Sequence, residues 1–211
     1  MTITKFTASD LGDLRPDQPV VVLLHGYGAD ERDLPGIMSY LPELPWVSPR
    51  APHPTEFGGF AWYGVERVLN PNLEDVMPPT DALWEWLDDV LSPNQPVVVI
   101  GFSQGGLMAT QLLRTRPERI SACVILAGFA ADVEMPADEA LRLNKPKVLY
   151  CRGAQDTVVA KDAVVGEISA EMFKRLIGGK VSGGGLFAAA ANDKTGDRVM
   201  AWSRDKATQQ I

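Results

Sequence analysis

Val97-Val98-Val99-Ile100-Gly101-Phe102-Ser103-Gln104-Gly105-Gly106-Leu107 is the stretch on which the fold turns. Its first four residues, entered through Pro96, read as a strand buried on both faces, because a half-exposed strand would alternate apolar with polar. From Leu107 to Leu113 the pattern is helical. Between the two lies Gly-x-Ser-x-Gly, a pentapeptide common by chance but far less so with a strand leading in and a helix leading out. A turn that tight leaves no room for a Cβ beside strand or helix, which is why glycine flanks the serine. Such an elbow lifts the Ser103 hydroxyl above a sheet as a nucleophile. It also aims the N–H of Gln104 at a developing oxyanion.

Working outward, three more apolar runs have the same character: Val20-Val21-Val22-Leu23-Leu24, Cys123-Val124-Ile125-Leu126 and Val148-Leu149-Tyr150-Cys151. Between them, residues 80–91 place Leu83, Trp84, Leu87 and Leu91 on one helical face, with Thr80 or Asp81 able to cap the start. Strands alternating with helices predict an α/β fold with a mostly parallel central sheet and helices on both faces. Residues 46–64, rich in Pro, Gly and aromatics, read as a long surface loop. Residues 161–177 can form an amphipathic helix through Val165, Ile168, Met172 and Leu176. From about residue 178 the composition changes to glycine clusters, an alanine run and a mixed polar tail, in which 198–202 is a weak strand candidate.

A chain of 211 residues fits a single domain over 1–211 with a divergent tail from 178. Its net charge of −7 argues against nucleic-acid or anionic-membrane partners, which favour a basic face. Cys123 and Cys151 sit inside apolar runs and read as buried free thiols of a reducing compartment. No basic-then-apolar leader and no membrane-length apolar run stand in the sequence, so a cytoplasmic protein is expected.

His25-Gly26-Tyr27-Gly28 directly follows the first strand. In a sheet with a nucleophile elbow this loop supplies the second oxyanion donor, here the N–H of Tyr27. Asp156, in the loop leaving the fourth strand, has the place of a triad acid, in the chain order serine then aspartate. Its task is to orient an imidazole and stabilise its charged form. Asp162 reads instead as a first-turn helix residue. The third member is missing. The chain has two histidines, His25 and His53, and both precede Ser103. His53 in its loop and Lys161 as a serine–lysine base are the stand-ins, each less natural than a loop histidine and a surface lysine. A serine without a base is a weak nucleophile.

Five blocks together resemble the phospholipase/carboxylesterase family that includes the acyl-protein thioesterases: 24–30, 49–52, 58–63, 101–106 and 152–159. The resemblance runs over roughly residues 18–160 and implies a compact α/β hydrolase without a large lid. It implies cleavage of small carboxyl esters or thioesters without metal or cofactor. Carried over, Ser103 is the nucleophile, Asp156 the acid, Tyr27 and Gln104 the oxyanion donors, and Phe60 and Trp62 the wall of the acyl pocket. The family would also place a Gly-x-x-His or Gly-His turn near residues 183–190, where this chain reads Gly-Gly-Gly-Leu-Phe-Ala-Ala-Ala. A family-like length with an abrupt change of character near residues 160–178 points to a frameshift, cloning error or recombination there.

Two functions follow. One is a serine carboxylesterase or thioesterase, impaired because no histidine follows Asp156. The other is a catalytically inactive pocket-binding protein on the same fold. If the tail does not rebuild a strand beyond residue 151, an unpaired sheet edge also invites self-association.

Overall fold

The computed structural model describes residues 1–12, 14–64, 71–144, 146–153, 181–183 and 187–190, the last two segments and residues 152–153 as backbone. Asp156, Lys161, Asp162, the 161–177 helix and the 198–202 strand lie outside the described residues.

Ten strands and three α-helices are described: β1 (Phe6–Ala8), β2 (Val20–Leu24), β3 (Trp46–Pro49), β4 (His53–Pro54), β5 (Phe60–Ala61), α1 (Leu73–Val90), β6 (Val97–Phe102), α2 (Gln104–Thr115), β7 (Ile120–Leu126), α3 (Asp138–Asn144), β8 (Val148–Gly153), β9 (Val181–Gly183) and β10 (Phe187–Ala190). Eight of the strands form one sheet in the order β1-β3-β2-β6-β7-β8-β10-β9, and β4 pairs with β5 apart from it. The centre, β3-β2-β6-β7-β8, is parallel throughout. β1 is antiparallel to β3 on one side, and on the other β10 is antiparallel to β8 and β9 to β10. The fold is the α/β type expected, with a mostly parallel central sheet. Among the described residues no segment forms a separate lid.

The apolar runs are continuous because successive residues serve two cores. Val20, Val22, Leu24, Val97, Val99, Cys123 and Ile125 face one side, with Leu83 and Leu87 of α1 and Leu107, Met108 and Leu112 of α2. Val21, Leu23 and Ile100 face the other. There, among the described residues, the cover is a 3-10 helix, Pro35–Tyr40, with Leu34, Ile37 and Met38 against the sheet. Each such side chain withdrawn from water contributes about 1.5–3 kcal/mol.

Three expectations change. Helix α1 begins at Leu73 rather than near Thr80. Asn72 accepts from the Asp75 N–H at 3.0 Å and Asp75 accepts from the Asn72 N–H at 2.9 Å. This reciprocal cap starts the helix ahead of Pro78-Pro79, which sits inside it. Thr80 is buried, its hydroxyl bonded to the Val76 carbonyl rather than capping. Residues 46–64 are not all surface loop: β3 is a sheet strand, with Val47 and Ser48 fully buried, and Trp62 and Tyr63 are core. The proline and glycine there mark turns between short strands. Finally, the edge of β8 is paired by β10, from Phe187 opposite Gly153 to Ala190 opposite Tyr150, so the condition for edge-driven self-association is not met at β8.

The strand order also sets where the predicted site residues fall. From β2 the chain moves outward to β3, while from β6 it moves the opposite way to β7. The carboxyl ends of β2 and β6 therefore flank a topological switch point, where loops diverge and leave a crevice. His25–Gly28 leaves one of those ends and Ser103 the other.

Candidate active site

Ser103 joins β6 to α2 with φ 52° and ψ −115°, a left-handed conformation that a residue with a Cβ adopts at a cost of about 1–3 kcal/mol. The structure holds it from two sides. The Ser103 N–H donates to the Leu126 carbonyl at the end of β7, at 2.9 Å. The flanking glycines allow the closeness the elbow needs: a Cβ on Gly101 would lie 2.1 Å from the Gly105 carbonyl oxygen, and one on Gly105 2.0 Å from that of Leu24. With no Cβ at 105, the start of α2 rests directly on the last carbonyls of β2. That contact brings the two predicted oxyanion segments together. Gln104 opens α2, so its N–H belongs to the first turn, which lacks intrahelical acceptors and carries the positive end of the helix dipole.

The loop after β2 passes from buried His25 and Gly26 to exposed Tyr27 and Gly28. Gly28, at φ 78°, donates to the Phe60 carbonyl at 2.9 Å, and the Phe60 N–H returns to Ala29 at 2.8 Å. Gly59 permits this pairing: it has φ 77°, and a Cβ there would meet the Gly28 oxygen at 1.9 Å. The Phe102 ring packs against Gly26, where a Cβ would approach it to 2.9 Å.

His25 is fully buried. The Ala51 N–H lies 3.0 Å from Nε2, and since a backbone N–H can only donate, Nε2 is the acceptor. The ring proton therefore sits on Nδ1, which donates to the Gly26 carbonyl at 2.8 Å. Burial holds the imidazole pKa below its ordinary value, against the Gly26 bond and the carboxylates of Asp33, Asp30 and Glu31, which raise it. His25 is a neutral imidazole with both nitrogens engaged, and so has no lone pair for Ser103. His53 lies exposed in β4, opposite Ala61. Among the described residues no side chain hydrogen-bonds the Ser103 hydroxyl, and no group of three His, Cys, Asp or Glu could hold a metal.

Phe60 is half-buried, with the Arg50 guanidinium 4.3 Å above its ring. Trp62 is 0% exposed, behind the loop, and its indole N–H donates to the His25 carbonyl at 2.8 Å. Two contributors escaped the sequence. The Gln104 side chain is buried and acts like a strand: Oε1 accepts from the Trp62 N–H at 2.8 Å and Nε2 donates to the Tyr63 carbonyl at 3.0 Å. Glu31, almost wholly buried, receives Arg50 through two bonds of 2.5 and 2.8 Å, which hold its carboxyl below the usual range against desolvation. Nothing local marks either residue, because their partners lie 19 to 42 positions away. Cys123 and Cys151 are free thiols, and burial raises Cys123 to about 12.

Comparison with known proteins identifies the family and the fold. The model of the family described as Phospholipase/Carboxylesterase matches residues 13–184. Among solved structures, esterase PE8 is 31% identical, with 77% of this chain and 78% of that one covered and a TM-score of 0.60. The Bacillus cereus carboxylesterase superposes with a TM-score of 0.66 at 22% identity over 81% of this chain and 80% of its own. Acyl-protein thioesterase 2 of Zea mays gives 0.58 at 22% identity, over 82% and 85%. The two less similar structures share the fold. No described helix is long and apolar enough to cross a membrane.

Proposed function

The chain belongs to the phospholipase/carboxylesterase family, and from that premise we propose that it is a serine hydrolase acting on small carboxyl esters or thioesters through an acyl-Ser103 intermediate. The observation that carries this is the strained Ser103 elbow, pressed through Gly105 onto the strand end that leads into His25–Gly28. In this mechanism Ser103 Oγ attacks the carbonyl carbon while the oxyanion gathers the N–H groups of Tyr27 and Gln104. Collapse breaks the bond to the alcohol or thiol, which leaves with the proton given up by the Ser103 hydroxyl, and the acyl group stays on Ser103 for water to remove. Two fixed donors are worth several kcal/mol, because deleting one of a pair costs about 2.7–4 kcal/mol. Phe60 forms the accessible part of the acyl wall, with Trp62 behind it, and Asp156 is the acid.

The base is where this chain departs from a full triad. His25 is committed to the loop on both nitrogens, and no histidine follows Asp156. On this reading acylation rests on the elbow and the oxyanion donors. Such remnants exceed water by about 10³–10⁴ yet fall about 10⁶ short of a complete triad. Deacylation, which needs the same base, is slow, so acyl-Ser103 accumulates. The lack of a histidine after Asp156 also favours the second reading, a pocket-binding protein that no longer turns over.

A timed reaction with p-nitrophenyl butyrate, followed by intact mass beside Ser103→Ala, separates the outcomes. A butyryl adduct that builds up on the wild type and is missing in Ser103→Ala is expected. Fast turnover lost in the variant points to a base elsewhere, with His53→Ala as the next variant. No adduct and no turnover leaves the pocket-binding reading.

A further inference from the structure

We propose that His25 is a positioning residue: its Nδ1–H, bonded to the Gly26 carbonyl, sets the direction of the Tyr27 N–H. The inference rests on the reading of Ser103 and Tyr27 given above. A trans peptide is planar, with C=O and N–H on opposite sides of the same bond. Fixing the Gly26 carbonyl therefore fixes the Tyr27 N–H to the reverse direction. The Gly26 oxygen is held by His25 Nδ1 at 2.8 Å and by the Ala29 N–H at 3.3 Å. One peptide earlier, Trp62 Nε1 holds the His25 carbonyl at 2.8 Å. Two consecutive carbonyls are thus pinned from the buried side, just where the chain passes to exposed Tyr27. Glycine at 26 has no preference of its own that would hold this orientation. The imidazole supplies it.

In the neutral ring Nδ1 carries the proton only while Nε2 is the acceptor, and the Ala51 N–H enforces that. His25 thus links Ala51, beyond β3, to the oxyanion loop through a single tautomer. The Ala51 bond serves stability. The Gly26 bond serves the chemistry, and the two are separable by substitution.

An Asn side chain places an amide near the Nδ1 position, and a Gln side chain places one near Nε2. His25→Asn keeps a donor for Gly26 and loses the Ala51 acceptor; His25→Gln does the reverse. The rate of butyryl-Ser103 formation from p-nitrophenyl butyrate is measured for both against substrate concentration, with a thermal melt of each. His25→Gln is expected to slow acylation by roughly 10- to 100-fold, short of the 10²–10³ of outright donor deletion, with half-saturation little changed. His25→Asn is expected to stay within a few-fold of wild type even where its melting point falls. Equal rates in all three proteins, or equal losses in both variants, overturn the proposal. Should neither variant fold, the imidazole ¹⁵N shifts of His25 in the intact protein decide: protonation on Nε2 in place of Nδ1 overturns it. If the wild type itself forms no adduct, the reading of Ser103 fails first and this proposal with it.

Discussion

At the scale of single residues, the elbow is a place where a methyl group is too large. A Cβ at Gly105 would press into the Leu24 and His25 carbonyl oxygens at 2.0 and 2.5 Å. Those atoms belong to a fully buried strand end and cannot swing aside. Gly105→Ala is expected to destabilise by about 3 kcal/mol or more, the upper end of overpacking penalties, and to abolish acylation in whatever folds. Urea unfolding with the mass assay checks both. The elbow is legible in sequence because its demands are local, a strand, two glycines and a helix within eleven positions. The tautomer of His25 and the strand-like behaviour of the Gln104 side chain are not. They depend on backbone groups of Ala51 and Trp62 that only the finished fold brings near.

At the scale of elements, four apolar runs were enough to foresee the parallel centre, since a strand buried on both faces needs no alternation and few other structures use such runs. The expected start of helix α1 lies seven residues too late. A proline pair reads as a boundary, yet Asn72 and Asp75 close the helix end upstream of it and tertiary packing of Val76, Leu83 and Leu87 holds the rest. Asn72→Ala is expected to cost about 1 kcal/mol, seen as a lower urea midpoint with unchanged slope. The short strands β3, β4 and β5 were hidden because each is only two to four residues long and bounded by turn residues.

For the molecule as a whole, one buried imidazole couples folding to acidity. The His25 pKa lies below the ordinary 6.5 in the folded protein, chiefly through burial. Below that pH the unfolded chain takes up a proton that the folded one refuses, so stability falls as pH drops. The loss begins near the unfolded value and levels off once pH passes below the folded one. Its slope is at most about 1.4 kcal/mol per pH unit for one proton. Unfolding free energies from pH 7.5 to 5 should show it, and His25→Asn should flatten the curve even if it lowers it overall. A slope unchanged by the substitution assigns the proton to another group.

The glycine contacts of the elbow bear on ancestry. Exchanging one base in the first two places of a glycine codon gives a larger residue or a stop, and at 101 and 105 even the smallest such residue meets a backbone oxygen at about 2 Å. Packing alone keeps both letters through any amount of neutral drift, whether or not hydrolysis survives. Ser103 is under no such compulsion, since glycine suits φ 52° better. Within the pentapeptide, then, the glycines record the architecture, and the serine alone carries information about chemistry.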